Sequence, residues 1–140
     1  MVVRDAQPGD ARDLAGLLDE LGYPAEPGAV RERLDAVSRD SRVRVAVDDD
    51  RLLGVVTSHH MSALEQERPV CLVTVLVVAP GARRRGVGGL LMDAVEEAAR
   101  EAGCGRVVVG TAHHRASAHA FYRGRGFEDT GLRFQKRLSG

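Results

Sequence analysis

The sequence has no tryptophan, only two tyrosines and three phenylalanines, and no excess of either charge, with 20 basic and 20 acidic residues. Nucleic-acid-binding proteins use basic surfaces and aromatic rings, so this composition disfavours that class. No apolar run approaches the ~20 residues that span a bilayer, and no N-terminal segment resembles a signal peptide. Cys71 and Cys104 match no metal-ligand spacing. We therefore expect a cytoplasmic protein with reduced thiols and no metal, membrane or nucleic-acid partner.

The length of the chain indicates one domain. With 140 residues, 44% of them apolar, the chain can bury a single core. No repeat, linker or low-complexity segment divides it, so residues 1–140 are assigned to one domain.

The first quarter of the chain predicts a strand and two helices. Val2 and Val3 are typical of an edge strand. Asp10, with Asp13 three residues later, resembles a capping box at a helix start. That helix has one apolar face and ends at Gly22; the face consists of Leu14, Leu17, Leu18 and Leu21. A weaker helix is predicted between Pro27 and Asp40, with Val30, Leu34 and Val37 on its apolar side.

The rest of the chain predicts strands alternating with helices. Arg42–Val47 and Arg51–His60 form a hairpin around three aspartates, and Val70–Ala79 is apolar enough for a strand covered on both faces. The remaining predicted elements are a helix from Gly88 to about Ala102, a buried strand over Arg106–Gly110, a short helix over Arg115–Arg123, and one or two strands over 126–138. The order is β-α-α-β-β-β-α-β-α-β, an α/β domain with a mixed central sheet flanked by helices.

Three arginines are followed by three closely spaced glycines, Gly86, Gly88 and Gly89, between the buried strand and the following helix, in "APGARRRGVGGLLM". Unpaired N–H groups and the helix dipole attract anions at a helix start, and glycines let a phosphate approach the backbone. A P-loop is excluded because no Lys-Ser/Thr follows, and a dinucleotide fingerprint is excluded by its glycine spacing. The stretch predicts a cradle for a diphosphate, with a solvated basic turn as the alternative.

The same stretch resembles the acetyl-CoA signature of the GNAT superfamily of N-acetyltransferases. Arg83–Gly88 fits Arg/Gln-x-x-Gly-x-Gly/Ala; Val78-Ala79-Pro80 precedes it and Leu90-Leu91 follows it. A second signature of that family, Ala-x-x-x-Tyr-x-x-x-Gly-Phe, is matched by Ala118–Phe127. The order of strands and helices is also similar to the family's, so the resemblance covers the whole chain.

The resemblance implies a role for each site residue. Acetyl-CoA is the implied cosubstrate, without a metal, and a primary amine is the acceptor. A bulge in the central strand is expected to open a cleft beside it. The thioester carbonyl is expected at the Val78 N–H, and Tyr122 is the implied acid that protonates the departing thiolate. The residues implied to bind the cofactor are Leu76, Val77 and Val78 along the pantetheine arm, and Arg83, Arg84, Arg85, Gly86, Val87, Gly88 and Gly89 at the phosphates.

The general base is where this sequence departs from the family, because the central strand has no acidic residue. Leu72 and Val75 stand where many relatives have Glu. Arg115 stands where relatives often have an Asn that contacts CoA. Either a base comes from elsewhere in the chain, or water relays the proton, or the amine arrives neutral. Histidine is a favoured base near neutral pH. The candidates near the cleft are His59, His60, Glu65, Glu67, His113 and His114.

Two functions from different classes remain open. The first is an enzyme that acetylates a primary amine of a small molecule or a protein, by direct attack on acetyl-CoA. The second is a catalytically silent sensor that binds acyl-CoA; Tyr122 argues against it and the missing Glu argues for it. The resemblance also implies a homodimer that pairs through the last strand, where Leu132, Phe134 and Leu138 alternate; the alternative is that these residues face the protein's own core.

Overall fold

The computed structural model describes residues 1–110, 116–130 and 134–138, apart from the side chains of residues 116 and 117. The chain forms two units, Met1–Gly110 and Thr111–Gly140. Each is described by itself.

The first unit contains five strands and three helices, and the second contains one helix within the described residues. The elements of the first unit are β1 (Val2–Asp5), α1 (Ala11–Leu21), α2 (Pro27–Asp35), β2 (Ser41–Asp48), β3 (Arg51–Met61), β4 (Val70–Val78), α3 (Val87–Glu101) and β5 (Arg106–Val109). The helix of the second unit is α4 (Ala116–Gly124).

The five strands form one mixed sheet in the order β1-β2-β3-β4-β5. The first four strands pair antiparallel, and β5 pairs parallel to β4. A parallel neighbour requires a crossover, which α3 provides between β4 and β5. The predicted α/β class and mixed sheet are confirmed.

One face of the sheet packs against α1 and α2. The core there consists of apolar side chains at helical spacing on the helices and at alternate positions on the strands, namely Ala11, Leu14, Ala15, Leu17, Val30, Val45, Val47, Val55 and Val77. The helix α1 ends as predicted at Gly22, whose φ of 97° is the left-handed conformation that favours glycine.

The helix α3 approaches the sheet closely at Gly54 in β3. A Cβ atom placed on Gly54 would lie 2.9 Å from the Val77 carbonyl oxygen and 3.1 Å from a Val87 methyl group. Leu91 and Met92, one turn further along α3, are fully buried. Gly54 therefore lets the start of α3 lie directly over the point where β3 pairs with β4.

The predicted capping box at α1 is wrong. Asp10 makes no side-chain hydrogen bond to the start of α1. Its carboxylate instead accepts hydrogen bonds from the Gln7 N–H, at 2.7 Å, and from the Arg4 guanidinium, at 2.8 and 3.0 Å. The Asp10 carboxylate is therefore bound to Arg4 and to the backbone at the start of a 3₁₀ turn (Pro8–Asp10), and it is not available to cap α1.

Three other features differ from the sequence prediction: one helix boundary, the burial of one strand and the presence of another. The helix α2 ends at Asp35, so Val37 lies beyond it and is 38% exposed. The strand β5 is half-exposed because it is the edge of the described sheet. No strand is found in the described residues of the last segment, 126–130 and 134–138. Phe134 is 95% exposed, so it lacks the burial that holds an apolar residue in a sheet.

Candidate active site

The strand β4 carries a bulge at Thr74. Thr57 of β3 lies opposite Val75, whereas the next residue, Ser58, lies opposite Val73. Thr74 is therefore the extra residue, and its side chain is exposed. A bulge bends its strand and ends regular pairing nearby, so the strand expected from the resemblance to be bulged does carry a bulge.

Pairing between β4 and β5 ends where the bulge begins. The last pair of the parallel ladder is Val73 with Val109, and the Gly110 N–H donates to the Val73 carbonyl at 3.0 Å. From Thr74 to Val78, β4 pairs with β3 on one side, and within the described residues no strand pairs with its other side. This part of β4 therefore has an open edge.

The backbone groups along that open edge alternate in direction. The Ala79 N–H donates to the Leu53 carbonyl at 2.8 Å, so Val77 exchanges hydrogen bonds with β3. Leu76 and Val78 then direct their N–H and C=O groups away from β3, towards the open edge. Of the three residues predicted to contact the pantetheine arm, these two have backbone groups available to it.

The helix α3 begins at the end of this edge with N–H groups that have no partner within the helix. Its first hydrogen bond runs from the Leu90 N–H to the Gly86 carbonyl, at 3.0 Å. Gly86 caps the helix with a left-handed φ of 77°, which glycine adopts without strain. The N–H groups of Val87, Gly88 and Gly89 precede the first helical bond, and the helix dipole makes this end favourable for an anion.

The three arginines before Gly86 are all exposed. Arg85 forms an ion pair with Asp48 at the end of β2, at 3.0 Å. Arg84 has a left-handed φ of 67°, which is uncommon for a residue with a side chain and marks a tight turn. The sequence places Asp48 only within a turn and does not predict this pairing, because nothing in the sequence connects residues 37 positions apart.

A chain of hydrogen bonds crosses three strands and ends at the bulge. Thr74 Oγ1 lies 2.6 Å from Thr57 Oγ1 and 3.0 Å from His59 Nε2. On the other side of the ring, His59 Nδ1 lies 2.7 Å from Ser41 Oγ, which accepts a hydrogen bond from Ser38 at 3.2 Å. We call these five side chains the hydroxyl–imidazole chain. The sequence analysis selected His59 and missed its hydroxyl partners, although Thr57 and His59 stand at alternate positions and so share a face.

The other candidate bases lie elsewhere. His60 follows His59 on β3 and so points to the opposite face of the sheet; its Nε2 is buried without a hydrogen-bond partner in the described structure. Glu65 and Glu67 are exposed in the loop between β3 and β4. The candidate bases His113 and His114, and Arg115 at the position of a customary CoA contact, lie outside the described residues.

Tyr122 lies on α4 in the second unit. Its ring contacts those of Phe121 and Phe127 edge-on, with centroids 5.3 and 5.6 Å apart. Burial raises the pKa of the Tyr122 hydroxyl above its ordinary value, because the anionic form loses hydration. The hydroxyl therefore keeps its proton at neutral pH and is able to donate it.

A cavity of about 320 Å³ lies beside α2 on the same face of the sheet as the hydroxyl–imidazole chain. Its lining includes Leu34, Val37, Arg39, Ser41 and Arg42. Ser41 belongs to both the cavity and the chain of hydrogen bonds, so the two features are contiguous.

Neither a metal site nor a membrane span is found in the part of the chain that the structure describes. No three His, Cys, Asp or Glu residues there are grouped to hold a metal ion, and no helix there is long and apolar enough to cross a bilayer. Cys71 and Cys104 are free thiols. Burial raises the pKa of the Cys71 thiol to about 11, so it is a packing residue rather than a nucleophile.

Comparison with known proteins identifies the same family as the two motifs. The sequence pattern of the Acetyltransferase (GNAT) family matches residues 12–127. Aminoalkylphosphonate N-acetyltransferase of Salmonella typhimurium is 30% identical over 123 residues, which cover 87% of this chain and 78% of that protein. Streptothricin acetyltransferase of Streptomyces lavendulae is 30% identical and the match covers 92% of this chain and 82% of that protein.

A solved structure agrees with the sequence comparisons. A putative acetyltransferase from Agrobacterium tumefaciens superimposes with a TM-score of 0.85 at 28% identity, covering 99% of this chain and all of that one. The family pattern spans both the open edge of β4 and the segment around Tyr122. The chain therefore belongs to the GNAT family of acetyltransferases and transfers an acetyl group to an amine.

Proposed function

We propose that the acetyl donor is acetyl-CoA and that it binds along the open edge of β4, with its pyrophosphate at the start of α3. One observation carries this proposal: a strand edge that is unpaired among the described residues leads directly to a glycine-rich helix start flanked by arginines. An extended amide chain ending in a diphosphate is complementary to these two features in that order.

Backbone groups supply most of the proposed contacts. The amides of the pantetheine arm pair with Val78 and Leu76, whose N–H and C=O groups face the open edge. The N–H groups from Arg84 to Gly89 bind the pyrophosphate. Arg83 and Arg84 add charge-assisted hydrogen bonds to the phosphates, while Arg85 is positioned by its ion pair with Asp48.

The thioester lies near the bulge in this arrangement. We place its carbonyl at the Leu76 N–H rather than at Val78, because Val78 adjoins the cradle, whereas Leu76 lies further along the arm and nearer the bulge. Thr74 lies two residues from Leu76, about 7 Å along the strand. The amine attacks the carbonyl there, and the thiolate leaves with a proton that the family motif assigns to Tyr122.

The acceptor is proposed to be a small primary amine that approaches over the face carrying the hydroxyl–imidazole chain. Arg39 and Arg42 in the neighbouring cavity are complementary to an acidic group on such an amine. The similarity to an aminoalkylphosphonate N-acetyltransferase makes aminoalkylphosphonates the first acceptors to test.

The free thiols support a reducing compartment such as the cytoplasm, and the exposed Phe134 and Leu138 support a homodimer.

A screen of amines with acetyl-CoA tests the proposal. The panel contains 2-aminoethylphosphonate, polyamines, free lysine and lysine-containing peptides, and the release of CoA thiol is followed together with the mass of the product. We expect sustained thiol release and an acetylated product with at least one amine. Tight binding of acetyl-CoA without turnover of any amine would instead support the silent sensor.

A further inference from the structure

We propose that Thr74 and His59 form a proton relay that accepts the proton of the attacking amine, which replaces the acidic residue that β4 lacks. The inference rests on the proposed function, because it needs an amine and a thioester at the bulge of β4. Thr74 contacts the amine in this arrangement, and His59 acts through Thr74.

The position of Thr74 is the first argument. It is the bulged residue at the point where β4 leaves β5, and its side chain is exposed. Its hydroxyl lies on the face of the sheet that carries Thr57 and His59, since it is within hydrogen-bond distance of both. A hydroxyl at this place adjoins the open edge and borders the surface from which an acceptor approaches.

The contacts of His59 are the second argument. Both ring nitrogens are engaged, Nε2 with Thr74 at 3.0 Å and Nδ1 with Ser41 at 2.7 Å. A ring held at both nitrogens keeps a fixed orientation without side-chain rearrangement. With its proton on Nδ1, donated to Ser41, the ring presents an unprotonated Nε2 to the Thr74 hydroxyl.

The chemistry of the neighbouring groups is the third argument. A threonine hydroxyl alone is too weak a base to remove a proton from an ammonium group, so it needs an acceptor behind it. Ser41 Oγ accepts a hydrogen bond from Nδ1–H in the neutral and in the protonated ring, and its contact with the ring is part-buried. Thr74 therefore transfers the proton, and His59 is the base that accepts it.

The relay transfers one proton and changes no oxidation state. Thr74 Oγ1 accepts a proton from the amine nitrogen as its own proton passes to His59 Nε2. The amine lone pair then forms the C–N bond at the thioester carbonyl, and collapse of the tetrahedral intermediate breaks the C–S bond. The departing thiolate takes the proton assigned to Tyr122, the second proton that the acylated nitrogen must lose goes to solvent, and Tyr122 regains a proton from solvent. The proton on His59 leaves to solvent through Thr74 once the product has departed.

Steady-state kinetics of three variants test the relay, with 2-aminoethylphosphonate or whichever amine of the panel is turned over fastest. Thr74→Val removes the hydroxyl and keeps the shape, and His59→Gln keeps a hydrogen-bonding group that cannot take a proton. We expect each to lower kcat by about 10²-fold, with acetyl-CoA affinity unchanged. Thr74→Ser keeps a hydroxyl and is expected to retain most of the activity. The matched control is Thr130→Val, because Thr130 is exposed and does not belong to the hydroxyl–imidazole chain.

The double variant separates a relay from two independent roles. If the proton passes through both groups in series, Thr74→Val with His59→Gln is no slower than the slower single variant. Losses that multiply overturn the relay, and so does full turnover in either single variant. A wild-type protein that binds acetyl-CoA but acetylates no amine overturns the proposed function and the relay with it, which distinguishes the two failures.

The position of the ring proton gives a test that does not depend on turnover. Long-range ¹⁵N–¹H correlation spectra of the ¹⁵N-labelled protein are assigned with His59→Gln. We expect the neutral His59 ring to carry its proton on Nδ1, and Thr74→Val to shift the Nε2 resonance. A neutral ring protonated on Nε2 would leave nothing to accept the Thr74 proton and would contradict the proposal.

Discussion

Three proton-bearing side chains, Tyr122, Thr74 and His59, determine the chemistry proposed for this acetyltransferase. The sequence predicted Tyr122, because it stands at a fixed place in a motif, and it included His59 among six candidate bases. It did not predict Thr74, because the bulge that exposes this residue depends on how β4 pairs with β3. A base that relies on hydroxyls from other strands has no local signature in the sequence.

Tyr122→Phe tests the proposed acid. The substitution keeps the ring and its edge contacts with Phe121 and Phe127, so folding and acetyl-CoA affinity should be preserved. We expect kcat to fall by about 10²-fold, at the low end of the range for a positioned proton donor, because a thiolate departs tolerably without help. The loss should appear in kcat more than in KM, and an undiminished kcat would leave Tyr122 as a packing residue.

Asp10→Asn tests the ion pair that replaces the predicted capping box. The Arg4 guanidinium lowers the pKa of the Asp10 carboxyl in the folded protein, so the pair stabilises the fold above the unfolded pKa and is lost as the pH falls through the folded one. At pH 7 we expect the free energy of unfolding to drop by about 1–2 kcal/mol.

Urea unfolding at several pH values measures this effect. The difference between wild type and Asp10→Asn should begin to shrink as the pH falls below about 4, the ordinary pKa of an aspartate in the unfolded chain, and should vanish below the lowered pKa of Asp10 in the folded protein. Asp13→Asn is the matched control, because it removes a charge from the first turn of α1, directly after Asp10. We expect it to lower the free energy of unfolding by less than Asp10→Asn does. A difference that stays constant down to low pH would contradict the assigned role of the ion pair.

At the scale of elements, local patterns predicted every helix and every strand of the first unit, with boundaries shifted by a few residues. Apolar spacing, glycines and prolines act within one element, so the sequence contains them directly. The features that the sequence did not predict depend on contacts between elements. Arg4 forms an ion pair with Asp10, Asp48 forms one with Arg85, and β5 is half-exposed because it lies at a sheet edge. The predicted final strand is not found in the described part of its segment.

Gly54→Ala tests the contact between α3 and the sheet. A Cβ there would meet side-chain carbons of Val87 and Leu91 in α3 at 3.1 and 3.2 Å, with the Val77 carbonyl oxygen of β4 at 2.9 Å on its other side. Relief of the overlap therefore requires α3 to move away from β3. We expect the free energy of unfolding to fall by about 1–3 kcal/mol.

The matched control for Gly54→Ala is Gly16→Ala. Gly16 lies within α1 and has open space around it, so the same substitution there should stabilise the protein by up to about 1 kcal/mol. Urea unfolding measures both variants. A Gly54→Ala protein as stable as the wild type would mean that α3 does not approach β3 as described.

At the scale of the whole molecule, we predict a homodimer formed through the segment that contains Phe134 and Leu138. These side chains are 95% and 88% exposed, and large exposed apolar residues close in sequence often mark an interface. Light scattering after size exclusion should give the mass of two chains at micromolar concentration.

The variant Phe134→Glu with Leu138→Glu provides the control for the dimer. It should give the mass of one chain with an unchanged circular dichroism spectrum, because both residues are outside the described core. A wild-type protein with the mass of one chain would contradict the prediction.

The most direct test of the account is calorimetry with acetyl-CoA on wild type, Gly88→Val and Gly16→Val. Gly88 lies in the first turn of α3, where the backbone is helical, and the side chain of a valine there would stand where the pyrophosphate meets the N–H groups. Gly16→Val places the same side chain at an exposed site on α1. We expect Gly88→Val to weaken acetyl-CoA binding by at least about 10²-fold, or about 2.7 kcal/mol, in a folded protein, and Gly16→Val to bind as the wild type does. Equal affinity in all three proteins would contradict the placement of acetyl-CoA at the start of α3.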